Sequence, residues 1–91
     1  MKRKFKKAYT ALKKIGAPVF ENADMSGNFG LSAEDNHDRI WADYYWRRST
    51  IFTQEFGWPV DGIDAEVLKI ADKNGLYFEW QNPGILYAYE K

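Results

Sequence analysis

The chain has no cysteine, a single histidine and only three prolines in 91 residues. Without cysteine there is no disulfide framework, no thiolate metal site and no cysteine nucleophile. Long apolar runs are missing too. The longest is the five residues from Ile85 to Tyr89, against roughly 18 for a helix that crosses a bilayer. A secretory leader is not expected either, because Lys13 and Lys14 interrupt any apolar stretch behind the basic start. These absences predict a soluble, cytoplasmic chain with no membrane partner. Its length fits one small domain, residues 1–91, around one core.

Acidic residues are absent from the first twenty positions. That stretch carries seven basic residues, whereas residues 21–91 carry six basic and thirteen acidic ones, so a net charge of zero divides into +7 and −7. Ten of the carboxylates fall between Glu21 and Glu66, facing only Arg39, Arg47 and Arg48. Such asymmetry marks either an anion-binding end or a basic helix laid across its own acidic body.

Periodicity organises the rest. Phe5, Tyr9, Leu12 and Ile15, with Ala8 between them, recur at spacings of three and four, which predicts an amphipathic helix over 3–15. Gly16 and Pro18 end it. Residues 17–34 read as a hairpin whose turn formers lie between Asn22 and Gly27. The aromatic block 39–57 fits either period, and its aromatic enrichment favours strand. A second helix is predicted over 62–74, with Asp61 as cap and Asp64 at its third position, and with Ile63, Val67, Ile70 and Ala71 as its buried stripe. Alternation at 76–90 around Asn82-Pro83-Gly84 predicts a hairpin on a type II turn. The sum is an α+β fold: an antiparallel sheet with both helices on one face and a C-terminal hairpin.

Few residues suggest chemistry. Asp24, Ser26, Asn28 and Asp35 have the spacing that opens a calcium loop, but Phe29 stands where such a loop turns on glycine. His37 lies among Glu34, Asp35 and Asp38 without a nucleophile pattern nearby. Pairs such as Asp35/Asp38 and Asp61/Asp64 arise by chance among thirteen acids. No phosphate-cradling glycine loop occurs, and the seven glycines read as turn or cap residues. Neither catalysis, a metal site nor a cofactor is expected.

Aromatics are plentiful. Sixteen residues are Phe, Tyr or Trp, too many for one small core, and strand alternation sets Tyr77, Tyr87 and Tyr89 across two faces. Exposed aromatics beside arginine match the composition of protein-binding hot spots. Trp41, Tyr45, Trp46, Arg47 and Arg48 are therefore the candidate partner-binding residues. The competing reading is nucleic-acid binding through Lys6, Lys7, Lys13 and Lys14. A third is a homo-oligomeric module that uses sheet aromatics as a self-interface.

The run Gly57-Trp-Pro-Val-Asp61, the helix end Lys73-Asn-Gly-Leu-Tyr77, and Glu79-Trp-Gln-Asn-Pro-Gly84 followed by Tyr89-Glu90 resemble a group of small uncharacterised phage and prophage proteins. The likeness covers residues 55–90. It implies a mobile-element origin, hence the cytoplasm of a host cell, and assigns no site residue. The expectation is a non-enzymatic phage-type protein that binds a host protein, as small inhibitors of host defence do.

Overall fold

The structure, a computed structural model, describes residues 2–21, 29–35, 39–44 and 62–91. Helix α1 spans Arg3–Lys14, strands β1 and β2 span Val19–Glu21 and Phe29–Ser32, and helix α2 spans Ala65–Lys73. Strands β3 (Leu76–Asn82) and β4 (Ile85–Glu90) complete the chain. The four strands form one antiparallel sheet in the order β1-β2-β4-β3. The fold is α+β, with the last strand in the middle of the sheet.

Helix α1 forms because its apolar residues share one stripe. Phe5, Ala8 and Leu12 are buried, and Tyr9 and Ile15 pack half-buried against them. It ends where glycine lets the chain reverse. Gly16 has φ +92° and its N–H donates to the Lys13 carbonyl at 3.1 Å, while the Ala17 N–H donates to Leu12 at 3.0 Å. This paired closure satisfies two carbonyls that the helix leaves open.

Alternation sorts the sheet into two faces. Leu31, Leu76, Phe78, Leu86 and Ala88 point inward with Phe29. The Phe29 ring meets Phe5, Tyr9 and Phe78 edge-on at centroid distances of 6.4, 5.6 and 5.9 Å. It joins α1 to two strands, and Val67 and Ala71 bring α2 into the same core.

Four expectations need revision. Residues 39–44 are not a strand: they make a single bridge, Ala42 to Ile63, and Trp41 and Ala42 are both buried, unlike neighbours on a strand covered on one face. Residues 45–57 of that block lie outside the described residues. Helix α2 starts at Ala65 rather than 62, because Gly62 has φ +71° and Ile63 is held in the bridge. Asp64 is therefore the cap itself, while Asp61 lies outside the described residues. The corner at Pro83-Gly84 is not type II, since Gly84 lacks the positive φ that type requires. Instead the Asn82 side chain accepts the Gly84 N–H at 2.8 Å. Finally, Gly30 is neither turn nor cap. It sits inside β2 opposite Phe20, whose ring occupies the space a Cβ would need.

Candidate interaction surfaces

The polar side of α1 is the first surface. Arg3, Lys6, Lys7, Thr10 and Lys14 recur at helical spacing on the side opposite Phe5, Ala8 and Leu12, and all five are exposed. Among the described residues, the basic helix meets its own acidic body only at its start. Lys4 and Lys2 reach the Glu90 carboxylate at 2.7 and 3.6 Å. Hydrogen bonding from Lys4 and the positive charge of both lysines hold the Glu90 pKa below the ordinary carboxylate value. Lys13 instead lies 5.3 Å from the centroid of the Tyr9 ring and donates to its hydroxyl at 3.2 Å. Among the described residues, no carboxylate pairs with Arg3, Lys6, Lys7 or Lys14. The candidates Lys6, Lys7, Lys13 and Lys14 are thus exposed, with Lys13 turned aside toward Tyr9.

The second surface is the sheet face away from the helices. The register sets Phe20, Gly30, Tyr87 and Glu79 in one row across all four strands, with Tyr77 and Tyr89 in the next. Tyr77, Tyr87 and Tyr89 therefore share one face rather than straddling two. The Tyr77 and Tyr89 rings stack with centroids 5.7 Å apart and planes 29° from parallel. Gln81 donates to the Tyr89 hydroxyl at 2.8 Å, which orients that phenol. Tyr77 is 38% exposed, and the neighbouring aromatics of this face are half-buried. Alternation alone makes this face legible once the hairpin register is known.

The third cluster centres on Arg39, which sequence reading passed over. Its guanidinium donates to both oxygens of Asp64, at 3.1 and 2.8 Å, and to Glu66 at 2.9 Å. It also lies 4.1 Å from the centroid of the Trp41 ring. These partners, the Asp64 hydrogen bonds foremost, strengthen its hold on its proton. Asp64 Oδ1 also accepts from the Glu66 and Val67 N–H groups at 2.8 and 3.2 Å. One carboxylate thus caps α2 and fastens residues 39–44 to it. A separation of 25 positions left no local pattern to announce the pair.

This cluster corrects the assignment of Trp41. Expected on an exposed partner-binding patch, it is only 7% exposed and belongs to the core under Arg39. Burying its large ring gains more than leaving it in water. The other members of that patch, Tyr45, Trp46, Arg47 and Arg48, lie outside the described residues. So do His37 and the calcium-like positions Asp24, Ser26 and Asn28, while Asp35 is exposed.

Among the described residues, no group of three or more His, Asp or Glu side chains is placed to hold a metal ion. Nor is any described helix long and apolar enough to cross a membrane. No family model matches the chain, and neither a curated protein nor a solved structure matches it.

Proposed function

We propose that the chain is a non-enzymatic binding module of phage or mobile-element type that engages a host protein in the host cytoplasm, in the manner of an inhibitor of host defence. The observation that carries this reading is the outer sheet face, where Phe20, Tyr77, Tyr87 and Tyr89 lie on one side of a rigid sheet. Tyrosine supplies wide contact area with few rotatable bonds, and a phenol whose partner is already set loses little entropy on docking. Glu79 and Gln81 would border such a contact with polar groups. The mobile-element setting rests on the likeness of residues 55–90 to phage proteins.

The test is affinity capture from bacterial host lysate with the wild-type chain and with Tyr77→Ala/Tyr89→Ala. A protein retained by the wild type and lost by a folded double variant supports the reading. Identical sets retained by both count against it. A concentration-dependent dimer that the same variant abolishes would replace it with the homo-oligomeric reading.

A further inference from the structure

The polar side of α1 carries a second inference, independent of the sheet face. Helix dipoles favour anions at the first turn and cations at the last, and like charges three or four residues apart repel. Helix α1 breaks both rules at its start, although Lys13 and Lys14 stand in its last turn, where cations are favoured. Its first turn has no acidic residue and opens on Lys2, Arg3 and Lys4, with no side-chain cap. Lys2/Lys6, Arg3/Lys6 and Arg3/Lys7 are like-charge neighbours at these spacings. Anchoring by Glu90 accounts for Lys2 and Lys4 only. Arg3, Lys6 and Lys7 act against the helix that carries them, and no carboxylate in the described fold pairs with these three or with Lys14.

We infer that this ridge is a docking site for the phosphate backbone of double-stranded nucleic acid. Charge complementarity is the first argument: four cations stand in line over about 16 Å of helix, at 1.5 Å per residue, with the Thr10 hydroxyl among them as a further phosphate donor. The second argument separates nucleic acid from an acidic protein. The described residues along the ridge are Arg3, Lys6, Lys7, Thr10, Ala11 and Lys14, with no large apolar anchor. Protein interfaces exclude lysine from their centres and depend on such anchors, whereas phosphate neutralisation needs only the cations. Among the described residues the ridge also lacks an aromatic ring on which unpaired bases would stack, which favours duplex over single strand. Recognition through phosphates alone is blind to base sequence. The excess of acid beyond residue 20 would turn this one side toward the duplex.

Fluorescence anisotropy with a labelled 20-base-pair DNA duplex of arbitrary sequence tests the inference. Four phosphate contacts set a log–log salt slope of about −3.6, so affinity falls about 100-fold between 50 and 200 mM NaCl. Arg3→Gln/Lys7→Gln should bring the slope to about −1.8 and weaken binding at 50 mM salt at least tenfold. The control Lys69→Gln/Lys73→Gln removes the same charge from exposed positions of α2 and should change affinity less than twofold. Circular dichroism melts establish that each variant is folded. Any one of four results overturns the inference: no duplex binding at 100 µM protein and 50 mM salt, equal losses in the two double variants, tighter binding of the separate strands, or displacement by polyglutamate as effective as by unlabelled duplex.

Discussion

The two helices lie against the same sheet and begin in opposite ways. Helix α2 opens on Asp64, which accepts two backbone N–H groups and clasps Arg39, and Glu66 follows in its first turn. Helix α1 opens on Lys2, which caps nothing, and continues with Arg3 and Lys4. Both pack an apolar side against the core, with Phe5, Ala8 and Leu12 buried in α1 and Val67 and Ala71 in α2, so tertiary packing carries α1 where its own terminus does not. The difference teaches where stability was spent. At α2 the polar residues of the first turn reinforce the fold, whereas at the start of α1 Arg3, Lys6 and Lys7 repel one another and face outward.

The largest effect should come from the core on which both helices rest. Phe29→Ala removes the ring shared by Phe5, Tyr9 and Phe78 and should cost about 3–5 kcal/mol in denaturant unfolding. A loss below about 1 kcal/mol would mean that the helices are held separately. Next comes the terminus of α2. Asp64→Ala should cost about 2 kcal/mol, since cap and ion pair go together, and Asp64→Asn about 1, since asparagine still caps. Equal losses would show that the charge on Arg39 matters and the cap does not.

The converse change at α1 should stabilise. Lys2→Asp supplies the missing cap and a favourable charge, for a gain of about 0.5–1 kcal/mol, against a mostly exposed contact with Glu90 at 3.6 Å. A loss there would remove the contrast between the helices. The smallest effect concerns acid. Because the Glu90 pKa is lowered in the fold, its contribution is present above the ordinary carboxylate range and is lost as pH falls through the folded value. Glu90→Gln should therefore lie closest to wild type at low pH and separate from it as pH rises to neutrality. An offset that is constant with pH would contradict the Lys4 and Lys2 pairing.

What the sequence disclosed tracks how local the determinants are. The stripes of α1 and α2, the glycine stop at Gly16 and the C-terminal hairpin follow from neighbours within four residues, and each stands close to its expected place. The burial of Trp41 depends on the Arg39–Asp64 pair and the Ala42–Ile63 bridge, both of which require the chain to return from a distance. Gly30 resembled a turn residue because only the pairing of β1 with β2 sets Phe20 across it. The tyrosine face was half legible. Alternation groups Tyr87 with Tyr89, and only the β3–β4 register adds Tyr77 to them. The basic ridge was visible from the start. What the sequence left open was which of its charges the fold itself engages, and the structure answers with Lys2 and Lys4 on Glu90 and Lys13 on Tyr9.

The central claim is that Arg3, Lys6, Lys7 and Lys14 make no contact on which the fold depends. The most direct measurement is the unfolding midpoint of Arg3→Gln/Lys6→Gln/Lys7→Gln/Lys14→Gln in denaturant at low salt. Glutamine matches lysine and arginine in helix propensity, so the substitution removes charge and little else. The expected result is a stability equal to wild type or higher, with the gain shrinking as salt screens the wild-type repulsion. A loss of more than about 1 kcal/mol, well above the few tenths that exposed substitutions cost, would show that these side chains hold the domain together and would contradict the account.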